Sequence, residues 1–163
     1  MRFQRILKLA ATAFLGFSAT LASAEAEPLA KQLFGAKTLP AATRPAVQGA
    51  HGSRLLLTFA NDVAAEQYLK FAEEDVVMPA GSVLAKESIT ISTKKKTARP
   101  GPLFIMTKGE EGAAPDAGDW IYSALMPNGK EMKIKQAFCH DCHIAWEAQD
   151  MLAYPVEEVR ISN

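Results

Sequence analysis

The feature that most constrains this chain is Cys139-His140-Asp141-Cys142-His143, which holds both of its cysteines and has only twenty residues after it. Three uses compete for such a pair: a redox dithiol, a metal knuckle and a covalent haem anchor. A thioredoxin-type Cys-x-x-Cys follows a strand and opens a helix within a βαβ unit. Here the motif instead closes a strand-rich chain. A structural zinc site takes four ligands, as a rule from two separated knuckles, and there is no second cysteine pair. Cys-x-x-Cys-His is the attachment pattern of c-type haem. Two thiols about one helical turn apart each form a thioether with a haem vinyl group, and the histidine that follows is aimed at the iron. The spacing predicts one covalently bound haem c, anchored by Cys139 and Cys142, with His143 as the axial ligand. His140, between the anchors, reads as an exposed spacer.

The N-terminus carries the basic residues Arg2, Arg5 and Lys8, then the apolar run "LAATAFLGFSATL", then Ala22-Ser23-Ala24. These are the three parts of a cleavable export signal. The apolar run is short of the roughly 20 residues a membrane span needs. Cleavage after Ala24 would leave 139 of the 163 residues, with 15 basic and 18 acidic side chains and a net charge of −3. That balance lacks the strongly basic face that nucleic acid requires. The expectation is a protein exported to the periplasm, with no nucleic-acid partner and no membrane attachment once the signal is removed.

Residues 25–50 are rich in Ala, Pro and Gly and read as a lead-in, followed by one domain over residues 51–163. "RLLLTF" (54–59) suggests a buried strand. Asn61 or Asp62 caps a helix expected to run to about Glu74, with Ala64, Tyr68 and Phe71 on one face. "MPAGSVLAKESITIS" reads as a turn and an alternating strand with Lys86 and Glu87 on opposite faces. "TKKKTARPGP" reads as a loop, and "LFIMT" and "WIYSALM" as two further strands. Asn128-Gly129 signals a turn, and a hairpin there needs a strand from about Glu131. Helical periodicity from about Ile134 to Gln149 carries the cysteines, with Pro155 as the stop. The sum is α+β: mainly antiparallel sheet with a few helices, the attachment motif lying on the last of them.

Ordinary electron-transfer cytochromes c carry the motif early and a ligating methionine far downstream. Here Met151 is the only methionine after His143. Met78, Met106, Met126 and Met132 read as core filling, and His51, beside Gly52, as a surface or turn residue. The iron is therefore expected to have one protein ligand and an open sixth position, which suits gas binding or catalysis rather than plain electron transfer.

"MPAGSVLAKES", "GPLFIMTKG", "PDAGDWIYSALMPNG" and "CHDCHIAWEAQD", in that order, resemble the cytochrome P-460 superfamily, which includes the cytochromes c′-beta. The resemblance runs from about His51 to Val159. It implies a mainly antiparallel β fold, a homodimer and a five-coordinate haem c. Members that oxidise hydroxylamine carry a lysine bonded to a meso carbon of the haem, and Lys86 stands at the matching position. Proton removal from hydroxylamine is helped by an acid over the open site; Asp116, four residues before Trp120, is the positional candidate, with Asp119 and Glu110 behind it. Electrons would then pass to a soluble redox partner cytochrome. The c′-beta members instead wall the distal face with phenylalanine and bind nitric oxide or carbon monoxide. Phe59, Phe71 and Phe104 are the residues available for such a wall.

Overall fold

The computed structural model describes residues 46–47 and 50–160. The export signal and nearly all of the lead-in lie outside the described residues. Five strands form one antiparallel sheet in sequential order: β1 (Ala46–Val47), β2 (Leu55–Ala60), β3 (Val83–Ser92), β4 (Thr97–Lys108) and β5 (Trp120–Leu125). Helix α1 (Asp62–Tyr68) follows β2, and α2 (Gln136–His143) carries the cysteine motif. The α+β architecture expected from the sequence is the one the chain adopts.

The sheet buries both faces because its residues alternate between two apolar layers. One layer joins Ala60, Leu84, Met106, Trp120 and Tyr122 to Tyr68 of α1, Met78 of the following loop and Leu152 of the C-terminal segment. The other face holds Ala85, Leu103 and Ile105, with Phe59, Val83 and Leu125 against them. Helix α1 begins where Asn61 Oδ1 accepts the Ala64 N–H at 3.0 Å, and the same oxygen accepts the Val83 N–H at 3.0 Å. One side chain thus caps the helix and fastens it to the start of β3.

The helix expected to reach Glu74 stops at Tyr68, because Phe71 takes a left-handed backbone (φ 49°) and turns its ring into the core against Tyr68 and Tyr154. The loop expected over residues 93–102 is only a four-residue turn, and β4 already runs from Thr97. Prolines 100 and 102 are tolerated there because β5 pairs only with residues 103–108, leaving that end of β4 free on one side. Next to them the β3–β4 register shifts between Glu87 and Ile89. Ser88 Oγ donates to the Pro102 carbonyl at 2.6 Å across this bulge. After Asn128-Gly129 the chain returns with a single bridge, Leu125 to Glu131, rather than a sixth strand.

The helix expected over residues 134–149 forms in two pieces. Helix α2 ends at His143, a 3₁₀ segment covers Ile144–Gln149, and Asp150 closes it with φ 51°. The break falls five residues before Pro155, since Asp150 and Met151 (φ 63°) both enter the left-handed region.

Candidate functional site

Helix α2 is tied to the outermost described strand by one side chain. Gln136 Nε2 donates to the Tyr122 carbonyl at 2.7 Å, and Gln136 Oε1 accepts the Tyr122 N–H at 2.8 Å. The amide thereby pairs with β5 as another strand would. It sets the first turn of the helix over the sheet and brings the second turn, with Cys139, Cys142 and His143, over a cavity of about 890 Å³. The two cysteines form no disulfide, and burial raises the pKa of Cys139 above its usual value.

His143 is buried, 6 % exposed. Its Nδ1 lies 2.6 Å from the Met151 carbonyl oxygen. A carbonyl can only accept, so Nδ1 carries the proton and Nε2 is the unprotonated ring nitrogen. Desolvation first, and the Lys86 charge second, bring the pKa down to about 4, so the ring is neutral, the form that binds iron.

Lys86 lines the same cavity and is 6 % exposed. Its neighbours across the sheet are Thr58 on β2 and Phe104 on β4. Burial lowers its pKa to about 8, so a neutral, nucleophilic amine is within reach at mildly alkaline pH. Strand alternation alone leaves open what Lys86 faces, and the fold puts it in the cavity wall.

His51 also lines the cavity. It sits in the short turn Ala50–Ser53 with a left-handed backbone (φ 56°), and the Arg54 guanidinium holds its carbonyl. The expectation of a turn residue is met, but the ring faces inward and packs at a tilt against Phe104, ring centroids 4.5 Å apart. Desolvation, then Lys86, lower its pKa to about 3, so it too is neutral. His143 stands 5.3 Å from the Tyr122 ring. Phe104 and Met106, the strand partner of Tyr122, are two residues apart on β4, about 7 Å. The two histidines therefore stand on neighbouring rows of the sheet, and Lys86 lies in the Phe104 row.

The remaining candidates divide. Phe104 lines the cavity, whereas Phe59 packs on the opposite face of the sheet and Phe71 lies in the core beside Tyr154. Asp116 lies on the exposed 3₁₀ turn Pro115–Ala117 and is not part of the cavity wall. The Asp119 carboxylate is spent locally, accepting the Ala114 N–H at 2.9 Å. Trp120 is fully buried, and its indole N–H donates to the Asp150 carbonyl at 2.9 Å. No Asp or Glu belongs to the described wall. His140 is half-buried, less open than a spacer, and stays outside the cavity.

Sequence reasoning missed Tyr122, Tyr154 and Phe138, all of which line the cavity. Tyr122 had a signal, since it shares its strand face with Trp120 at a spacing of two. The Tyr122 and Tyr154 hydroxyls are buried without a hydrogen-bond partner, which is costly unless a ligand supplies one. Together with two thiols and an available imidazole nitrogen, they show that the wall fits a polar-edged macrocycle. The volume lies within the usual range for ligand sites.

A β-rich α+β domain whose last helix presents two thiols and a neutral histidine to one apolar cavity is built as a haem-binding cytochrome. The model of the cytochrome P460 family matches residues 37–153. The chain therefore belongs to the cytochrome P460 family, and no curated protein matches it.

Proposed function

We propose that this protein is an exported, mono-haem c-type cytochrome acting on small nitrogen species, with hydroxylamine as the substrate. Cys139 and Cys142 would hold the haem by thioethers, and His143 Nε2 would be the protein ligand to its iron. Lys86 would stand at the macrocycle edge, where its amine faces the cavity that would hold the haem. The observation that carries this reading is the burial of Lys86, its pKa lowered to about 8, in the wall that also holds both thiols and His143.

Bound in this way, the haem would supply redox chemistry for the substrate, with a soluble redox cytochrome as the electron partner. The chain does the rest. The Met151 carbonyl orients His143, and Phe104, Ile134 and Met132 exclude water. With no carboxylate in the described wall, His51 is the neutral base nearest to the Phe104 side. The distal-acid role suggested for Asp116 would require its exposed turn to be brought to the cavity.

One observation favours a second reading. The apolar, carboxylate-free wall containing Phe104 also suits a c′-beta-like protein that binds nitric oxide or carbon monoxide without turnover. Assaying the haem-loaded protein for hydroxylamine-dependent reduction of an artificial acceptor separates the two. Turnover that is lost in Lys86→Met supports the first reading, and tight nitric oxide binding without turnover supports the second.

A further inference from the structure

We propose that Asp150 is a positioning residue that sets how strongly His143 donates to the iron, acting through the carbonyl of Met151. The inference rests on the assignment of His143 as axial ligand and goes beyond it, because Asp150 touches neither the ligand nor the cavity. A histidine that ligates iron is tuned by the acceptor on its other nitrogen, since a stronger acceptor raises the basicity of the ring. Here that acceptor is the Met151 carbonyl, 2.6 Å from Nδ1. What holds that carbonyl in place therefore matters to the iron.

Asp150 and Met151 both take left-handed backbones, φ 51° and 63°. Each such conformation costs a residue other than glycine roughly 1–2 kcal/mol, so something must oppose the relaxation of this turn. Asp150 supplies it with donors from three separate parts of the chain. Its Oδ2 accepts the Met78 N–H at 2.7 Å, from the loop after α1. Lys108 Nζ, at the end of β4, reaches Oδ1 at 2.7 Å and Oδ2 at 2.8 Å. The Trp120 indole N–H, at the start of β5, reaches the Asp150 carbonyl at 2.9 Å and Oδ1 at 3.2 Å. The backbone N–H groups of Asp150 and Met151 are taken by Glu147 and Trp146, each at 2.9 Å. Asp150 and the Asp150–Met151 peptide, which directly precedes the peptide bearing the Met151 carbonyl, are thereby clamped to two strands and a loop.

The carboxylate adds an electrostatic effect to the mechanical one. It is almost closed to solvent, Asp150 being 9 % exposed, so its field is only weakly screened. That field reaches the cavity, because Asp150 contributes to raising the pKa of both Tyr122 and Tyr154, which line it. A negative charge behind the Met151 peptide favours proton sharing from Nδ1 and hence a more electron-rich imidazole. Lys108 offsets part of that charge. An ordinary core ion pair would need none of this arrangement around the residue next to the ligand's acceptor.

The test uses the full chain matured with its haem and two substitutions, Asp150→Asn and Lys108→Met. The readouts are the iron–histidine stretching band of the reduced protein and its midpoint potential, with haem content and unfolding midpoint measured beside them. Asp150→Asn removes charge while keeping shape, and it is expected to lower the stretching frequency and raise the potential at unchanged haem content. Lys108→Met leaves the carboxylate uncompensated and is expected to move the potential down. Should Asp150→Asn fail to fold, the Lys108→Met shift alone decides. A folded, haem-loaded variant whose band and potential equal those of the parent would overturn the inference and leave Asp150 as a core ion pair. No iron–histidine band in the unsubstituted protein would instead strike the His143 assignment itself, and the inference with it.

Discussion

Gln136 and Tyr122 are joined twice, side-chain amide to backbone carbonyl and N–H, at 2.7 and 2.8 Å. This pair fixes where α2, and so the whole attachment motif, lies on the sheet. Gln136→Ala should cost about 1 kcal/mol for each hydrogen bond lost. Denaturant unfolding of parent and variant gives the value. A change under a few tenths of a kcal/mol would mean that the helix is placed by its apolar contacts alone.

Lys86 gives the cofactor-free protein a signed pH dependence. Its folded pKa lies near 8 and its unfolded value near 10.5. Below pH 8 both states are protonated and the burial penalty is paid in full. Between pH 8 and 10.5 only the unfolded state keeps the proton, so stability rises with pH. Over pH 8 to 9.5 the gain is roughly 2 kcal/mol. Above pH 10 the buried tyrosines oppose it, since burial raises their folded pKa values above the ordinary one. Unfolding curves for the parent and Lys86→Met, taken in parallel from pH 7 to 9.5, isolate the effect. Parallel pH profiles for the two proteins would contradict it.

Gly101 sits against the β3–β4 bulge, where an added Cβ would run into Ser88 Oγ and come within 3.3 Å of the Ser88 carbonyl oxygen. Gly101→Ala should destabilise by roughly 1–3 kcal/mol, the usual range for overpacking. Adding Ser88→Ala should recover part of that loss, because the two residues share one space. Thermal unfolding of the two single variants and the double variant tests this, and strictly additive losses would speak against the shared contact.

His51 packs against Phe104 inside the cavity, so His51→Leu should shift the carbon monoxide stretching band of the haem-loaded protein without lowering its haem content. An unshifted band would mean that the ring does not face the bound ligand.

Much of this arrangement was legible in the sequence because it depends on local pattern. Asn61 announced a helix start, the apolar run "RLLLTF" announced β2, and two-residue alternation announced β3. The spacing of Cys139, Cys142 and His143 placed them on one helical segment. What was not legible depends on contacts distant in sequence. Nothing local to Asp150 shows that Met78, Lys108 and Trp120 converge on it from 72, 42 and 30 residues away. Nothing beside Gly52 shows that His51 turns inward onto a strand some fifty residues later. The Pro- and Gly-rich start of β4 reads as loop, because the free edge that tolerates those residues exists only once β5 has paired farther along. Lys86 lies between these cases. Alternation predicts its strand, but only the folded sheet shows that its face is the cavity wall.

The most direct test of the central claim, that Lys86 stands at the edge of a haem held by Cys139, Cys142 and His143, is the absorption spectrum of the dithionite-reduced protein after maturation with haem in a periplasm. The account predicts a Soret band well to the red of an ordinary ferrous haem c, returning to the ordinary position in Lys86→Met. An ordinary high-spin ferrous band in the unsubstituted protein would contradict it, and would leave Lys86 a buried amine beside an unmodified macrocycle.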